Sequence, residues 1–315
     1  MKLRQLRNFA AVVEAGAVRQ AAKTLNLSQS SVTKSIQQLE SELGVELLRR
    51  GAHGVAPTDA GKALLVRAQA IEAELRHARN DVEAIRGANV GEIRVSASPT
   101  VAMGLLPRTI VAFRRRRPQV SFLIQEGVFP DILPAVRTGE IDFAVCLVPG
   151  SRPRDETLSF VNLIRDRLVP AIRADHPLTR TRNLRLADLL DLNWAIYRRS
   201  HTGLDIFEQT FISNRLKPPK STIECTSFAC ALSLVENGDF VTLVPSQIFA
   251  GGRKHASIAP LLLDSPMQPW QVAAISRPRH ELSAVCLAFL AELQRMAAKA
   301  DMPASKAGGP PRPRR

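Results

Sequence analysis

Residues 18–44 read VRQAAKTLNLSQSSVTKSIQQLESELG. Apolar positions at helical spacing flank a break at Asn26, Leu27 and Ser28, which predicts two short helices joined by a tight turn. In the first, from about Val18 to Leu25, Ala21, Ala22 and Leu25 form the inner face, and the small alanines let a neighbour approach closely. In the second, Val32, Ile36, Leu39 and Leu43 fall at i, i+4, i+7 and i+11. Ser28 is placed to cap that helix and Gly44 to end it. The opposite face carries Ser30, Ser31, Thr33, Lys34, Gln37 and Gln38, and no acid occurs between Glu14 and Glu40.

A helix precedes this pair, with Leu3, Leu6, Phe9, Ala10 and Val13 in phase and Gly16 at its end. After it comes VELLRRGAHGVAPT, read as strands at Val45–Leu48 and Gly54–Pro57 around a turn containing Gly51. Arg49, Arg50 and His53 would stand on this hairpin as a basic wing. Two short helices with an acid-free outer face describe a helix-turn-helix, whose second helix enters the DNA major groove leading with its N-terminal residues. Ser28, Gln29, Ser30, Thr33 and Lys34 are the candidates for base edges and phosphates, with Arg49 and Arg50 on the backbone. The plain alternative is an amphipathic helix with a solvated face; the wing argues against it.

Charge points the same way. Lys and Arg number 43 against 29 Asp and Glu, a net +14 with pI near 10.6. That excess favours a polyanion, though a generally basic proteome would produce it too. No apolar run is long enough to span a membrane, and the N-terminus lacks a signal-peptide pattern, so a cytoplasmic protein is expected. Cys146, Cys225, Cys230 and Cys286 are scattered without a C-x-x-C pair and are expected to be small core residues; neither a metal nor a cofactor is implied.

Thr58 can cap a long helix in which Leu64, Ala68, Ile71, Leu75, Ala78, Val82 and Ile85 alternate by four and three. That rhythm belongs to a narrow helix–helix seam and so to dimerisation; the alternative is a helix lying along its own domain. Residues 58–86 would span roughly 40 Å, and Gly87 with Gly91 would form a hinge.

Beyond Gly91 strands and helices alternate, which argues a parallel-type α/β sheet in two similar lobes, the first completed by the last helix. The segment TVAMGLLPRTIVAFRRRRP is expected to be helical with an interruption near Pro107, and its arginines 114–117 to face water. Clefts in such folds gather at strand C-termini, where Ser98 and Thr100 could meet a carboxylate or sulfonate. The tail, PASKAGGPPRPRR, is expected to be disordered. No P-loop, dinucleotide glycine pattern, H-E-x-x-H or nucleophile elbow occurs, so catalysis is not expected. An exported solute-binding protein would share the lobes but not the head.

The motifs MKLRQLRNFAAVVEAG, AAKTLNLSQSSVTKSIQQLESELGVELLRR and GVAPTDAGKALL, followed by LPRTIVAFRRRRPQV, IDFAVCLV and GDFVTLVPSQ, resemble those of LysR-type transcriptional regulators up to about residue 300. The resemblance implies an α/β protein with an N-terminal winged helix-turn-helix (1–57) and a dimerising linker helix and hinge (58–90). A two-lobed, periplasmic-binding-protein-like effector domain follows (91–300), with lobe I about 91–164 and 267–300 and lobe II about 165–266, and then the basic tail (301–315). It implies a dimer of dimers on double-stranded operator DNA, with RNA polymerase as a further partner. A small organic anion between the lobes would modulate binding, aromatic acids and sulfonates being the nearest parallels. The cleft would be lined by Ser98, Thr100, Gly127, Val128, Thr202, Phe228 and Pro245, with His201 beside it. The alternative is a ligand-independent repressor whose cleft is filled by side chains. This chain departs from the family pattern at Ser30, where proline is common, at Ala17 and Arg19, where Ser or Thr commonly caps, and at Leu48, where the wing often has phenylalanine.

Overall fold

The computed structural model describes residues 1–51, 54–85, 90–149, 155–197, 206–220, 222–252, 257–265, 267 and 269–301. Three helices open the chain: α1 (Leu3–Ala15), α2 (Val18–Thr24) and α3 (Gln29–Leu43). Their apolar stripes close on one core of Leu6, Phe9, Val12, Ala21, Val32, Ile36 and Leu39. Burying each large side chain here contributes about 1.5–3 kcal/mol. Left-handed residues Gly16 and Gly44 end α1 and α3. Of the expected core positions, Leu3 and Leu43 are 36% and 42% exposed, and Val13 and Leu25 are only half-buried, while Val12 is fully enclosed. Leu43 is in phase with the stripe but falls on the last turn, beyond the helices that cover it.

The wing is an antiparallel pair, β1 (Leu48–Gly51) with β2 (Gly54–Pro57). Its first strand begins at Leu48, not Val45. The Glu40 carboxylate accepts the amides of Leu47 and Leu48 at 2.8 and 3.2 Å, so the chain turns there before it can pair. At Gly54 φ is +113°, and an added Cβ would stand 2.6 Å from the Gly16 carbonyl oxygen. Val55 N donates to that same oxygen at 2.8 Å, tying the wing to the turn between α1 and α2.

The long helix α4 (Asp59–Ile85) starts at Thr58, whose hydroxyl accepts from Gly61 N at 3.0 Å. Of the expected seam, Leu64 and Ala68 pack into the head core. Leu75 is half-buried and Ala78 exposed, while Ile71, Val82 and Ile85 are 37%, 51% and 87% exposed. The helix does not stand free: a second face, Ala73, His77 and Asn80, is buried against the domain that follows. Gly91, expected in the hinge, is part of a strand and lies beside Val285 and Asn80; Gly87 lies outside the described residues.

That domain runs β3 (Val90–Ala97), α5 (Pro99–Ala102), α6 (Leu105–Arg116), β4 (Gln119–Glu126), α7 (Leu133–Arg137), β5 (Phe143–Val148) and β6 (Ser159–Arg173). It continues through β7 (Asn193–Tyr197), α8 (Ile206–Ser213), β8 (Thr222–Cys225), α9 (Phe228–Asn237), β9 (Phe240–Pro245), β10 (Ile258–Pro260), β11 (Pro269–Ser276) and α10 (Ala284–Asp301). The sheet order is β4-β3-β5-β11-β6-β9-β7-β8, with β10 beside β6. It is mixed, not parallel: β3 runs parallel to β4 and β5, and β7 to β8 and β9, but β6 and β11 are antiparallel to their neighbours. The long strand β6 pairs with β11 up to Arg167 and with β9 from Leu168, so one strand belongs to both halves. Each half has its own core, around Phe113, Phe143 and Phe289 in one and around Trp194 and Phe211 in the other.

The helical break expected near Pro107 falls at Met103–Gly104 instead. Pro107 sits in the first turn of α6, where amides have no intrahelical partner and proline is tolerated. Arg114, Arg115 and Arg116 are exposed at that helix's C-terminus, and Arg117 lies 4.9 Å over the Phe113 ring. Cys230 is exposed, unlike the other three cysteines, because it sits on the outer first turn of α9.

Candidate functional site

In the head, Gln29, Ser30 and Lys34 are exposed on the first turns of α3, and Thr33 is half-buried. Ser28 is the N-cap: its hydroxyl accepts from Ser31 N at 3.1 Å and lies 3.0 and 2.7 Å from the Ser30 and Ser31 hydroxyls. One residue cluster therefore both stops the helix and presents hydroxyls at its positive end. Arg49 is exposed on β1, opposite Ala56; Arg50 follows on the same strand, opposite Val55. His53 lies outside the described residues. Sequence reasoning missed Glu40, which orients the wing. Its only signal was an acid at the close of an acid-free helix face.

The expected effector residues separate. Thr100 lines a small cavity with Val101, Leu105, Ile164, Asp166, Gln247 and Val272, about 10 Å³ in volume, room for roughly one water molecule. Ser98 is buried beside it, its hydroxyl 3.0 Å from that of Thr100. Gly127 and Val128 line a different, open groove of about 250 Å³ with Gln125, Glu126, Asp131 and Ile132. A side chain at Gly127 would collide with the Ser96 hydroxyl, 2.3 Å from the added Cβ. Phe228 is in the core of the second half, edge-on to Tyr197, and Pro245 is buried at the end of β9. His201 and Thr202 lie outside the described residues. Asp166, Ser246 and Gln247 were not foreseen, though an acid inside the strand pattern LIRDRLVP was a visible irregularity. Asp166 Oδ1 accepts from Ser246 Oγ at 2.8 Å and from Arg167 N at 2.7 Å. Burial pushes its carboxyl above the usual aspartate range, and these bonds pull it back only in part.

A third cluster joins the two regions. His77 Nε2 donates to Asp142 Oδ1 at 2.7 Å, and Arg76 donates to the same oxygen at 2.8 Å. Arg94 N donates to Asp142 Oδ2 at 2.8 Å. Arg277 stands 3.2 Å from His77 Nδ1 and pairs with Glu74 at 2.6 Å. His77 Nδ1 also lies 3.1 Å from the Glu281 carbonyl oxygen, so that nitrogen faces a donor and an acceptor at once. Burial pushes the Asp142 carboxyl up, but His77, Arg76 and the Arg94 amide outweigh it and hold it below its ordinary value. Cys286 brings a third ligand-type atom within 4.8 Å of His77 and Asp142. Arg76 on the same carboxylate supplies the positive charge a cation would bring, so the cluster is a structural joint.

A winged helix-turn-helix carried on a bilobed α/β domain defines a DNA-binding regulator with a ligand-type domain attached. Residues 3–62 match the model of the bacterial regulatory helix-turn-helix protein, lysR family, and residues 86–298 that of the LysR substrate binding domain. The chain therefore belongs to the LysR family of DNA-binding transcriptional regulators. It is 29% identical over 264 residues to the uncharacterized HTH-type transcriptional regulator YdcI of Escherichia coli (strain K12), across 83% of this chain and 84% of the relative. The crystal structure of CbnR, a LysR family transcriptional regulator, is similar with TM-score 0.71 and 25% identity, covering 94% of this chain and 99% of that one. Full-length CbnR complexed with its target DNA gives TM-score 0.69 and 26% identity, covering 94% and 100%. These relatives are regulators, not enzymes. Among the described residues no helix is long and apolar enough to cross a membrane.

Proposed function

We propose that this regulator works in the cytoplasm as a homo-oligomer on double-stranded operator DNA, and that a small organic molecule entering between the lobes changes how the oligomer holds that DNA. Gln29, Ser30, Thr33 and Lys34 would meet bases and phosphates, and Arg49 and Arg50 the backbone beside the wing. The observation that carries the proposal is the double attachment of α4. Its first turns belong to the head core, its middle is bonded to the regulatory domain through His77 and Asp142, and Ile71, Val82 and Ile85 remain exposed. A partner's α4 packed on that stripe would remove the apolar surface and pair two heads on two half-sites. A ligand favouring one lobe arrangement needs about 1–3 kcal/mol of coupling to change DNA affinity several-fold to a hundredfold.

The test has two parts. Lys34→Ala, made at an exposed position, is expected to leave the thermal melt unchanged. It should weaken binding to a duplex selected from random sequence and lower the salt slope by about one. Val82→Asp is expected to shift the sedimenting species to a smaller one. Unchanged DNA binding in the first, or unchanged sedimentation in the second, removes the corresponding surface from the proposal. A second reading is supported by the 10 Å³ cavity at Thr100: a regulator that binds DNA without a ligand because its crevice is already filled.

A further inference from the structure

The expectation of an anionic effector rested on the family resemblance and on the hydroxyls of Ser98 and Thr100, which are engaged with each other at 3.0 Å. Among the described residues, the charged groups lining the two cavities are all of one sign. Glu126 and Asp131 border the groove at Gly127, Asp166 borders the cavity at Thr100, and neither described lining contains a lysine, arginine or histidine.

Asp166 is the sharpest of the three. It is 8% exposed, on the strand shared by both lobes, one residue before the chain stops pairing with β11. Its side chain is held by neutral donors alone, the Ser246 hydroxyl and amide and the Arg167 amide, and among the described residues no ion pair offsets the charge. A carboxylate removed from water without a counter-ion is unfavourable. Fold stability does not account for it, since the neighbouring walls, Val101, Leu105, Ile164 and Val272, are apolar. The raised carboxyl value is the same imbalance seen through proton affinity. Ser246, from the lobe II side, and the Arg167 amide partly compensate. A ligand that displaces the Ser246 contact would do so only by offering the carboxylate something better than a hydroxyl.

We propose that the effector of this regulator is a small organic cation whose protonated amine pairs with Asp166, its apolar body lying against Leu105, Ile164 and Val272 and its polar edge toward Thr100 and Gln247. The proposal rests on the reading that a ligand enters between the lobes. At about 10 Å³ the cavity admits no such molecule as it stands, so binding separates Gln247 from Thr100 and thereby changes the lobe closure. An anion in the same place would face a carboxylate across a low-dielectric gap, which is repulsive.

The experiment uses the full-length protein. Thermal melts are recorded with a panel of primary amines, from butylamine to benzylamine and phenethylamine, and with shape-matched acids, butyrate, benzoate and benzenesulfonate, at millimolar concentration. Amines are expected to raise the melting temperature saturably and the acids to leave it unchanged. Asp166→Asn, which keeps the shape and removes the charge, is expected to lose at least tenfold in amine affinity. Should that variant not fold, Ser246→Ala strips the carboxylate of its side-chain donor and is expected to bind amines several-fold more tightly; unchanged affinity there overturns the proposal. Stabilisation by acids alone, or amine binding undiminished in Asp166→Asn, overturns the cation assignment and leaves a ligand-gated regulator standing. Silence from both classes in a protein that still binds DNA overturns both and favours the filled crevice.

Discussion

The two surfaces proposed to meet partners are built on opposite terms. On α3 the candidate groups are exposed, Gln29, Ser30 and Lys34 reaching into solvent from a helix whose other side is fully packed. Between the lobes they are enclosed: Ser98 and Asp166 are buried, and each is bonded within the fold. In the head, apart from the cap Ser28, the fold and the candidate contact surface occupy different faces of one helix, so an exposed residue such as Lys34 can change with little effect on stability. In the regulatory domain one carboxylate is at once part of the interior and part of the crevice, and changing it alters both. Water sharing softens the first surface. Its exclusion makes every unpaired group in the second count.

The strongest way to break that contrast is at the joint where the two regions meet. Asp142→Asn leaves the half-buried Arg76 without its anion and is expected to cost about 3 kcal/mol in urea unfolding at neutral pH. The sign of its pH dependence follows from the depressed carboxyl. The contribution is complete above the unfolded value near pH 4 and is lost as pH falls through the lower folded value. Wild type should therefore lose stability more steeply than the variant on acidification. Parallel curves would sink the assignment.

Next in size is Gly54→Ala, which forces a side chain into a left-handed backbone 2.6 Å from a carbonyl oxygen. A loss of about 1–3 kcal/mol is expected, with weaker DNA binding as the wing shifts. A thermal melt matching wild type would show that the turn relaxes freely. Ser28→Ala should remove about 1 kcal/mol through the lost cap, read by the same melt. Smallest of all is Leu43→Ala, within about 0.5 kcal/mol because the side chain is already exposed. A loss above 2 kcal/mol there would mean that Leu43 is covered in the assembled protein.

Much of the head was legible because its elements are local. Ser28, Thr58, Gly16 and Gly44 act on amides and carbonyls a few residues away, and the chain displays them in order. The wing was legible in kind but displaced by three residues, since Glu40 reaches it from another element. On α4 the heptad stripe was visible, whereas the burial of His77 and Asn80 was not. Nothing in a polar spacing reveals that Asp142, sixty-five residues on, waits beneath it. The regulatory domain showed its alternation of elements but concealed the direction of β6 and β11, because an antiparallel crossing strand has the same apolar pattern as a parallel one.

Periodicity, caps and charge determined by themselves that this chain makes a helix-turn-helix with a basic wing, a long connecting helix and an α/β domain. These are decisions of a few neighbouring residues, each favourable within its own segment. Tertiary structure alone decided which face of α4 is covered, that Thr100 and Gly127 border separate cavities, and that the carboxylate of Asp166 lies buried between the lobes. The reason is physical: burial, and with it the effective strength of a charge, is set by elements far away along the chain, and no local pattern carries it.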